Sequence, residues 1–348
     1  MSTQDIFEGK SILITGGTGS FGKKFTEVIL RRSKPARVII FSRDEFKQFE
    51  MSQVFSPSDY PAIRYFVGDV RDKERLYRAF HNVDYVIHAA ALKQVPAAEY
   101  NPFEAVKTNI LGAQNVINAA IDHGVKKIIA LSTDKAANPI NLYGATKLCS
   151  DKLFIAGNFY AGSQQSIFSV VRYGNVMGSR GSVIPFFMEQ RKTGMLPITD
   201  PRMTRFWISL DRTVEFVLEC LERMVGGELF IPKIPSLNIM DLAKAIAPEC
   251  KTKIIGIRPG EKIHEVLLPR SEARNALELE KSYFIQPAFD FWLERFVNNG
   301  AKPVSPDFEY SSETNSDFLT IGQMRKMIER MSDQFEREEI DADLVKRS

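Results

Sequence analysis

The segment Ser11-Ile-Leu-Ile-Thr-Gly-Gly-Thr-Gly-Ser-Phe-Gly22 decides the fold. A short apolar run gives way to a loop with glycines at 16, 19 and 22, and an amphipathic stretch begins at once behind it. Strand, glycine turn and helix in that order let a backbone approach a pyrophosphate closely. The anion then sits at a helix N-terminus, where free N–H groups and the dipole favour negative charge. Gly16, Thr18, Gly19, Ser20, Phe21 and Gly22 are therefore candidate cofactor residues. A glycine loop alone also fits an ordinary strand–helix turn; the position after the first strand and before a helix favours a nucleotide.

Outward from this loop, apolar runs at 37–41, 63–67, 85–88, 127–131 and 167–171 read as buried strands. They alternate with helical patterns near 21–32, 72–80, 102–122 and 143–160. The alternation predicts an α/β protein with a Rossmann-type doubly wound parallel sheet and a smaller C-terminal substrate-binding lobe. After Arg172 the rhythm becomes irregular and rich in Gly and Pro. Residues 1–175 are expected to form the NADP-binding domain, with a return segment at about 208–231. Residues 176–207 and 232–330 are assigned to the lobe, and 331–348 to a charged tail.

The chain has 348 residues, 44% of them hydrophobic and 26% charged, with a formal net charge of +3. Such balance, without basic runs interleaved with aromatics, argues against nucleic acid. Cys149, Cys220 and Cys250 are widely spaced and suit reduced thiols. His81, His88, His123 and His264 show no metal-ligand spacing, so no metal is expected. No apolar run has the ~18 residues a membrane span requires, so no membrane association is expected and a cytoplasmic location is.

At the end of the second strand stand Ser42, Arg43, Asp44 and Glu45, with Lys47 beyond. An acidic side chain here binds a ribose hydroxyl, whereas Arg accommodates a 2'-phosphate. Arg43 favours NADP, and Asp44 and Glu45 keep NAD open. Asp69, followed by Val70, is placed to meet the adenine or to cap the next helix.

The segment Ser132-Thr-Asp-Lys135, with Tyr143-Gly-Ala-Thr-Lys147 behind it, carries the chemistry. Tyr143 and Lys147 are spaced i and i+4, so on a helix the ammonium can lower the phenol's pKa and let it remove a hydroxyl proton. Asp134 and Lys135 add an acid and a second base that simple alcohol oxidation does not need. A loop cap and a solvated charge are the plain alternatives for that pair.

The glycine loop, His88-Ala-Ala-Ala91, Asn109, Ser132-Thr133 and Tyr143-x-x-x-Lys147 together resemble the extended short-chain dehydrogenase/reductase superfamily. Longer motifs narrow the match: Ser42-Arg-Asp-Glu45, Ala90-Ala-Leu-Lys93, Leu131 to Lys147, Val171-Arg-Tyr-Gly-Asn-Val176, Met203-Thr-Arg-Phe-Trp207 and Ile257-Arg-Pro-Gly-Glu-Lys262. They look like the inverting UDP-N-acetylglucosamine 4,6-dehydratases, the PseB type that begins pseudaminic acid synthesis, over roughly residues 8–325.

That resemblance implies oxidation at C4, loss of water across C5–C6, return of hydride to C6 and inversion at C5. It implies Thr133, Asp134, Lys135, Tyr143 and Lys147 as catalytic residues, with Thr133 bonding the C4 oxygen. Retaining relatives carry Glu where this chain has Lys135, so Lys135 is the implied C5 base. That role needs a depressed pKa, which burial, Lys147 and the nicotinamide charge would supply and Asp134 would oppose. Asp134 is expected to act as the acid, protonated and titrating together with Lys135.

Ala89, Ala90, Lys93 and Asn109 join the implied cofactor set. Lys93, Asn175, Arg180, Val183, Pro197, Thr199, Met203, Arg205, Arg258 and Glu261 form the implied substrate set, Arg205 and Arg258 as pyrophosphate clamps. Superfamily members also associate through helices at 102–122 and 143–160, which implies a homo-oligomer, a dimer or hexamer. A UDP-sugar 4-epimerase, or a catalytically silent NADP-binding scaffold, would share much of this pattern. Asp134-Lys135 argues against the first, and Tyr143 with Lys147 against the second.

Overall fold

The computed structural model describes residues 5–162, 166–179, 181–287 and 300–331. The Rossmann half runs β1 (Ser11–Thr15), α1 (Ser20–Arg32), β2 (Arg37–Ser42), α2 (Glu45–Val54), β3 (Ile63–Val67), α3 (Lys73–Ala79) and β4 (Tyr85–His88). It continues through α4 (Val95–Tyr100), α5 (Pro102–Val106), α6 (Gly112–Asp122), β5 (Lys127–Thr133), α7 (Leu142–Tyr160) and β6 (Ile167–Tyr173). Parallel strands stand in the order β3-β2-β1-β4-β5-β6. This is the doubly wound arrangement, with ligands expected outside the carboxyl ends of the strands.

The strands are apolar throughout because both sheet faces are covered. Leu13, Val86, Ile128 and Phe168 pack under α3, α6 and α7 on one face. Ile12, Ile14, Ile87 and Ile129 meet α1 and the later helix α9 on the other.

The remaining elements are β7 (Asn175–Val176), α8 (Val183–Gln190), β8 (Met195–Ile198), β9 (Thr204–Ile208), α9 (Leu210–Arg223), β10 (Leu229–Pro232), β11 (Ser236–Asn238) and α10 (Ile239–Ile246). After them come β12 (Lys251–Ile254), β13 (Val266–Leu268), α11 (Arg270–Ala273), β14 (Ala276–Glu278), β15 (Ser282–Ile285), β16 (Lys302–Pro303) and β17 (Tyr310–Ser311). β10 returns to the sheet parallel to β6. The lobe has its own core, in which Trp207, Leu196, Ile198, Leu242 and Met324 pack together. It carries the small sheets β11-β9-β7 and β12-β8.

Three features differ from the sequence reading. β15, β14 and β16 continue the main sheet antiparallel beyond β10, although residues 232–330 were all expected in the lobe. β5 and β6 each run two residues past their apolar stretches, to Thr133 and Tyr173. The helical pattern at 102–122 is interrupted by a π-helical turn, Lys107–Leu111, which contains Asn109.

Arg172 on β6 is fully buried and joins the two halves. Its guanidinium donates to Glu272 on α11 at 2.7 Å and to the Leu267 carbonyl at 3.1 Å, and it lies 3.5 Å from Asp151 on α7. Arg172→Met would remove the buried cation that two carboxylates share, leaving Asp151 with Lys147 and Glu272 with the exposed Lys152. The expected cost is about 3–5 kcal/mol, read as a lowered urea midpoint.

Candidate active site

The chain leaves β1 through Gly16, whose φ of +65° suits glycine. A Cβ here would lie 2.8 Å from the Ala90 amide nitrogen, and one on Gly22 would lie 2.3 Å from the Gly17 carbonyl oxygen. The loop therefore packs tightly on the β4 end, leaving its outer side for a ligand. Gly19 caps α1 without a side-chain bond, and the first turn holds no acidic residue. The helix thus presents an N-terminus ready for a pyrophosphate.

A cleft of about 640 Å³ opens there, lined at one end by Thr18, Ser20, Phe21 and Ser42, and at the other by Thr133, Asp134, Lys135 and Tyr143. Lys47, Asp69, Val70, Ala89, Ala90, Lys93, Lys147 and Asn175 also reach it.

At the rim, Asp44 caps α2, accepting from the Lys47 amide at 3.0 Å and pairing with its ammonium at 2.9 Å. These bonds hold its carboxyl below the usual range. Arg43 is largely exposed and meets Asp69 only at 4.0 Å. Asp72, not Asp69, caps α3. Asp69 instead accepts two side-chain bonds and one backbone bond from Arg71.

The reactive end is built where β5 stops. Asn141 caps α7 by accepting from the Gly144 amide at 2.8 Å, and a Cβ on Gly144 would fall 2.1 Å from the Lys135 carbonyl oxygen. Glycine alone lets α7 start against the strand-end turn. Tyr143 then faces Thr133, Asp134 and Lys135, and Lys147 lines the same cleft. The Thr133 hydroxyl donates to Asp134 Oδ1 at 2.9 Å, and Lys135 Nζ lies 3.0 Å from the same oxygen.

Burial pushes the Tyr143 phenol up to about 12, against the pull of Lys135 and the Thr133 hydroxyl. Lys147, expected to lower it, is itself brought down by burial and supported by Asp151, one turn along the same helix. Asp151 accepts from the Ser132 hydroxyl at 2.7 Å. Lys135 departs further from expectation. Burial lowers its ammonium, but Asp134 and Glu265 outweigh burial and hold it above the usual lysine range.

Several expected site residues lie elsewhere. Asn109 stands behind the cleft lining, its amide bonded to both backbone polar groups of Leu92 and to Thr146. Arg205 donates to the carbonyls of Thr204, Ile263 and Lys262, so its fork is occupied. Met203 is buried in the lobe core, where its sulfur accepts from Thr199, and Val183 packs against that core. Pro197 lies within β8. Arg258 and Glu261 share an outer loop, their charged groups 4.0 Å apart. Arg180 lies outside the described residues.

The sequence reading missed Glu265, a buried carboxylate 3.5 Å from Lys135 Nζ, and Asp151. Asp151 was open to discovery through its i, i+4 spacing from Lys147. Glu265 carries no such signal, being far away in sequence.

Among the described residues, no group of three or more His, Cys, Asp or Glu could hold a metal ion. No described helix is long and apolar enough to cross a membrane.

The family described as polysaccharide biosynthesis protein matches residues 12–287. The chain belongs to this family. A Campylobacter jejuni relative named UDP-N-acetylglucosamine 4,6-dehydratase (inverting) is 57% identical over 93% of this chain and 98% of its own. A Rickettsia conorii protein named UDP-glucose 4-epimerase is 41% identical over 93% of this chain and 96% of its own. Among solved structures, Pen from Bacillus thuringiensis superposes with a TM-score of 0.86 at 39% identity, covering 94% of this chain and 99% of that one. This polysaccharide biosynthesis family member thus shares its whole fold with sugar-nucleotide enzymes, and the contents of the cleft must distinguish their reactions.

The glycine at 144 offers a clean test of the site's construction. Gly144→Ala forces α7 away from the Lys135 turn, at an expected cost of about 1–3 kcal/mol. Turnover is expected to fall on the order of 100-fold from misplacement of Tyr143, with dinucleotide binding retained in a fluorescence titration.

Proposed function

We propose that the protein is an inverting UDP-N-acetylglucosamine 4,6-dehydratase, a hydro-lyase that uses NADP and returns it unchanged. The observation that carries this reading is the Asp134–Lys135 pair lying in one cleft with Tyr143 and Lys147. A 4-epimerase needs only the latter two. The name of the Campylobacter relative supports the substrate.

The glycine loop and the uncapped start of α1 fit a dinucleotide pyrophosphate, and Arg43 fits a 2'-phosphate because Asp44 is turned to α2. When bound, the nicotinamide supplies the hydride acceptor for C4 and the hydride donor for C6. Thr133 bonds the C4 oxygen, and Tyr143 takes its proton. Lys147, set by Asp151, supports the developing phenolate charge. The ketone acidifies C5. Lys135, after passing its own proton to Asp134, takes the C5 proton; Asp134 donates to the C6 oxygen as it leaves as water, and a proton returned to the opposite face of C5 completes hydride return to C6 and inverts that carbon.

Lys93 lines the same cleft and serves the sugar or pyrophosphate. Arg258 is the remaining clamp for the UDP phosphates, with Glu261 beside it. Exposed Phe103, Leu111 and Tyr160 support association of copies through these helices.

Incubation with UDP-N-acetylglucosamine and NADP in heavy water is expected to give a C6 methyl signal and deuterium at C5 by NMR. Lys135→Met is expected to abolish both. A 4-epimerised sugar with no methyl signal would overturn the reading. Arg43→Ala is expected to weaken NADP by ~1.5–3 kcal/mol and leave NAD nearly unchanged, measured by titration with each cofactor. Equal weakening of both would remove the case for NADP.

A further inference from the structure

Glu265 precedes β13 and approaches Lys135, a residue of the cleft lining, from the lobe side. Its backbone is fixed: its N–H donates to the Ser312 hydroxyl at 2.9 Å, and its carbonyl accepts from the Ser312 N–H at 2.8 Å. Ser312 is itself bonded to Thr204 of β9. The carboxylate is buried, and Oε2 has no hydrogen-bond partner. It faces three cations: Lys135 at 3.5 Å, Arg205 at 3.9 Å and Lys262 at 3.9 Å.

Lys135 is the nearest of these. Arg205 already donates to three carbonyls, and Lys262 donates to the Ala137 carbonyl at 2.6 Å. Lys135 has no comparable backbone anchor for its ammonium; it lies between Asp134 and Glu265. The lobe loop also holds the catalytic turn at Gly260, whose carbonyl accepts from Asn141 at 2.7 Å.

We propose that Glu265 is a positioning residue for the dehydration step: from the substrate lobe it fixes the Lys135 ammonium beside Asp134 and sets how readily that group gives up its proton. The charged and titratable groups around Lys135 are Asp134 and Tyr143 from the Rossmann side, and Glu265, Arg205 and Lys262 from the lobe side. Glu265 is the one lobe group among them that stabilises the charged lysine; Arg205 and Lys262 oppose it. The carboxylate therefore lets a loop implicated in nucleotide binding govern the charge of a group on the opposite side of the cleft. The inference rests on the proposed dehydratase reading for its consequence in turnover, but not for the titration itself.

The test compares wild type with Glu265→Gln in two ways. Competitive labelling with acetic anhydride across a pH series, read at Lys135 by peptide mass spectrometry, needs no sugar nucleotide. Loss of the carboxylate is expected to move the Lys135 midpoint down by at least about one pH unit, a tenfold change in proton affinity. The pH profile of kcat for formation of the 6-deoxy product is expected to show its rising limb displaced in the same direction, because the lysine must be neutral to accept the C5 proton.

Glu265→Asp, which keeps the charge but withdraws it by one methylene, is expected to show a smaller displacement of the same sign and serves if the glutamine variant does not fold. A labelling midpoint or a kcat profile that superimposes on wild type in a folded variant overturns the proposal. Failure of the dehydratase reading would look different: wild type itself would make no 6-deoxy product, while the labelling comparison would still report on Glu265.

Discussion

The close approach of α7 to the end of β5 is the constraint on which the site depends. Gly144 sits where any side chain would collide with the Lys135 carbonyl, and Asn141 secures the contact from both sides. Its side-chain oxygen caps α7, while its amide donates to Gly260 in the lobe. A single residue thus fixes the helix that carries Tyr143 and Lys147 and ties it to the lobe loop. The Tyr143–Lys147 pair and the Asp134–Lys135 pair share a cleft because their backbones are in contact, so neither can move without disturbing the other.

Behind that contact lies a chain of buried charge. Lys147, Asp151, Arg172 and Glu272 run from the cleft through the sheet to α11. Isolated charges at such depth would cost several kcal/mol each, so they persist only as a paired set. Burial shifts Lys147 down and Asp151 up, each toward its neutral form, and their mutual attraction opposes both shifts. His88, beneath the same region, donates to or accepts from Thr15 at 2.8 Å. Burial, aided by Lys147, drives it down to about 3. It stays neutral above that pH and adds no positive charge to compete with Lys147.

Much of this was legible in the sequence because it is local. The β1 loop, the six parallel strands and the Tyr143–Lys147 spacing follow from runs and intervals within a few residues of each other. What was not legible depends on distant segments. Three short strands, β14, β15 and β16, extend the sheet through antiparallel pairing that leaves little periodic trace in runs this short. The π-helical turn around Asn109 hides inside an unbroken helical pattern and joins that side chain to the backbone of Leu92, behind the cleft wall. Arg205 reads as a phosphate clamp because forks match phosphates, yet the carbonyls of the 262–263 segment reach it first. Glu265 gains its meaning only when the lobe folds back on the catalytic turn.

The two oxygens of Asp134 lie in different surroundings. Oδ1 accepts from Thr133 and lies against the Lys135 ammonium, whereas Oδ2 is buried and has no hydrogen-bond partner. Leaving a buried carboxylate oxygen unpaired costs free energy, and such atoms are few in folded proteins. The cost is sustained because Thr133 and Lys135 hold the group by its other oxygen. Oδ2 is enclosed by the surrounding protein, and Lys135 is held by a second carboxylate from the lobe. One oxygen of Asp134 thus holds both the Thr133 hydroxyl and the Lys135 ammonium, and Glu265 sets a second carboxylate beside that lysine from the lobe.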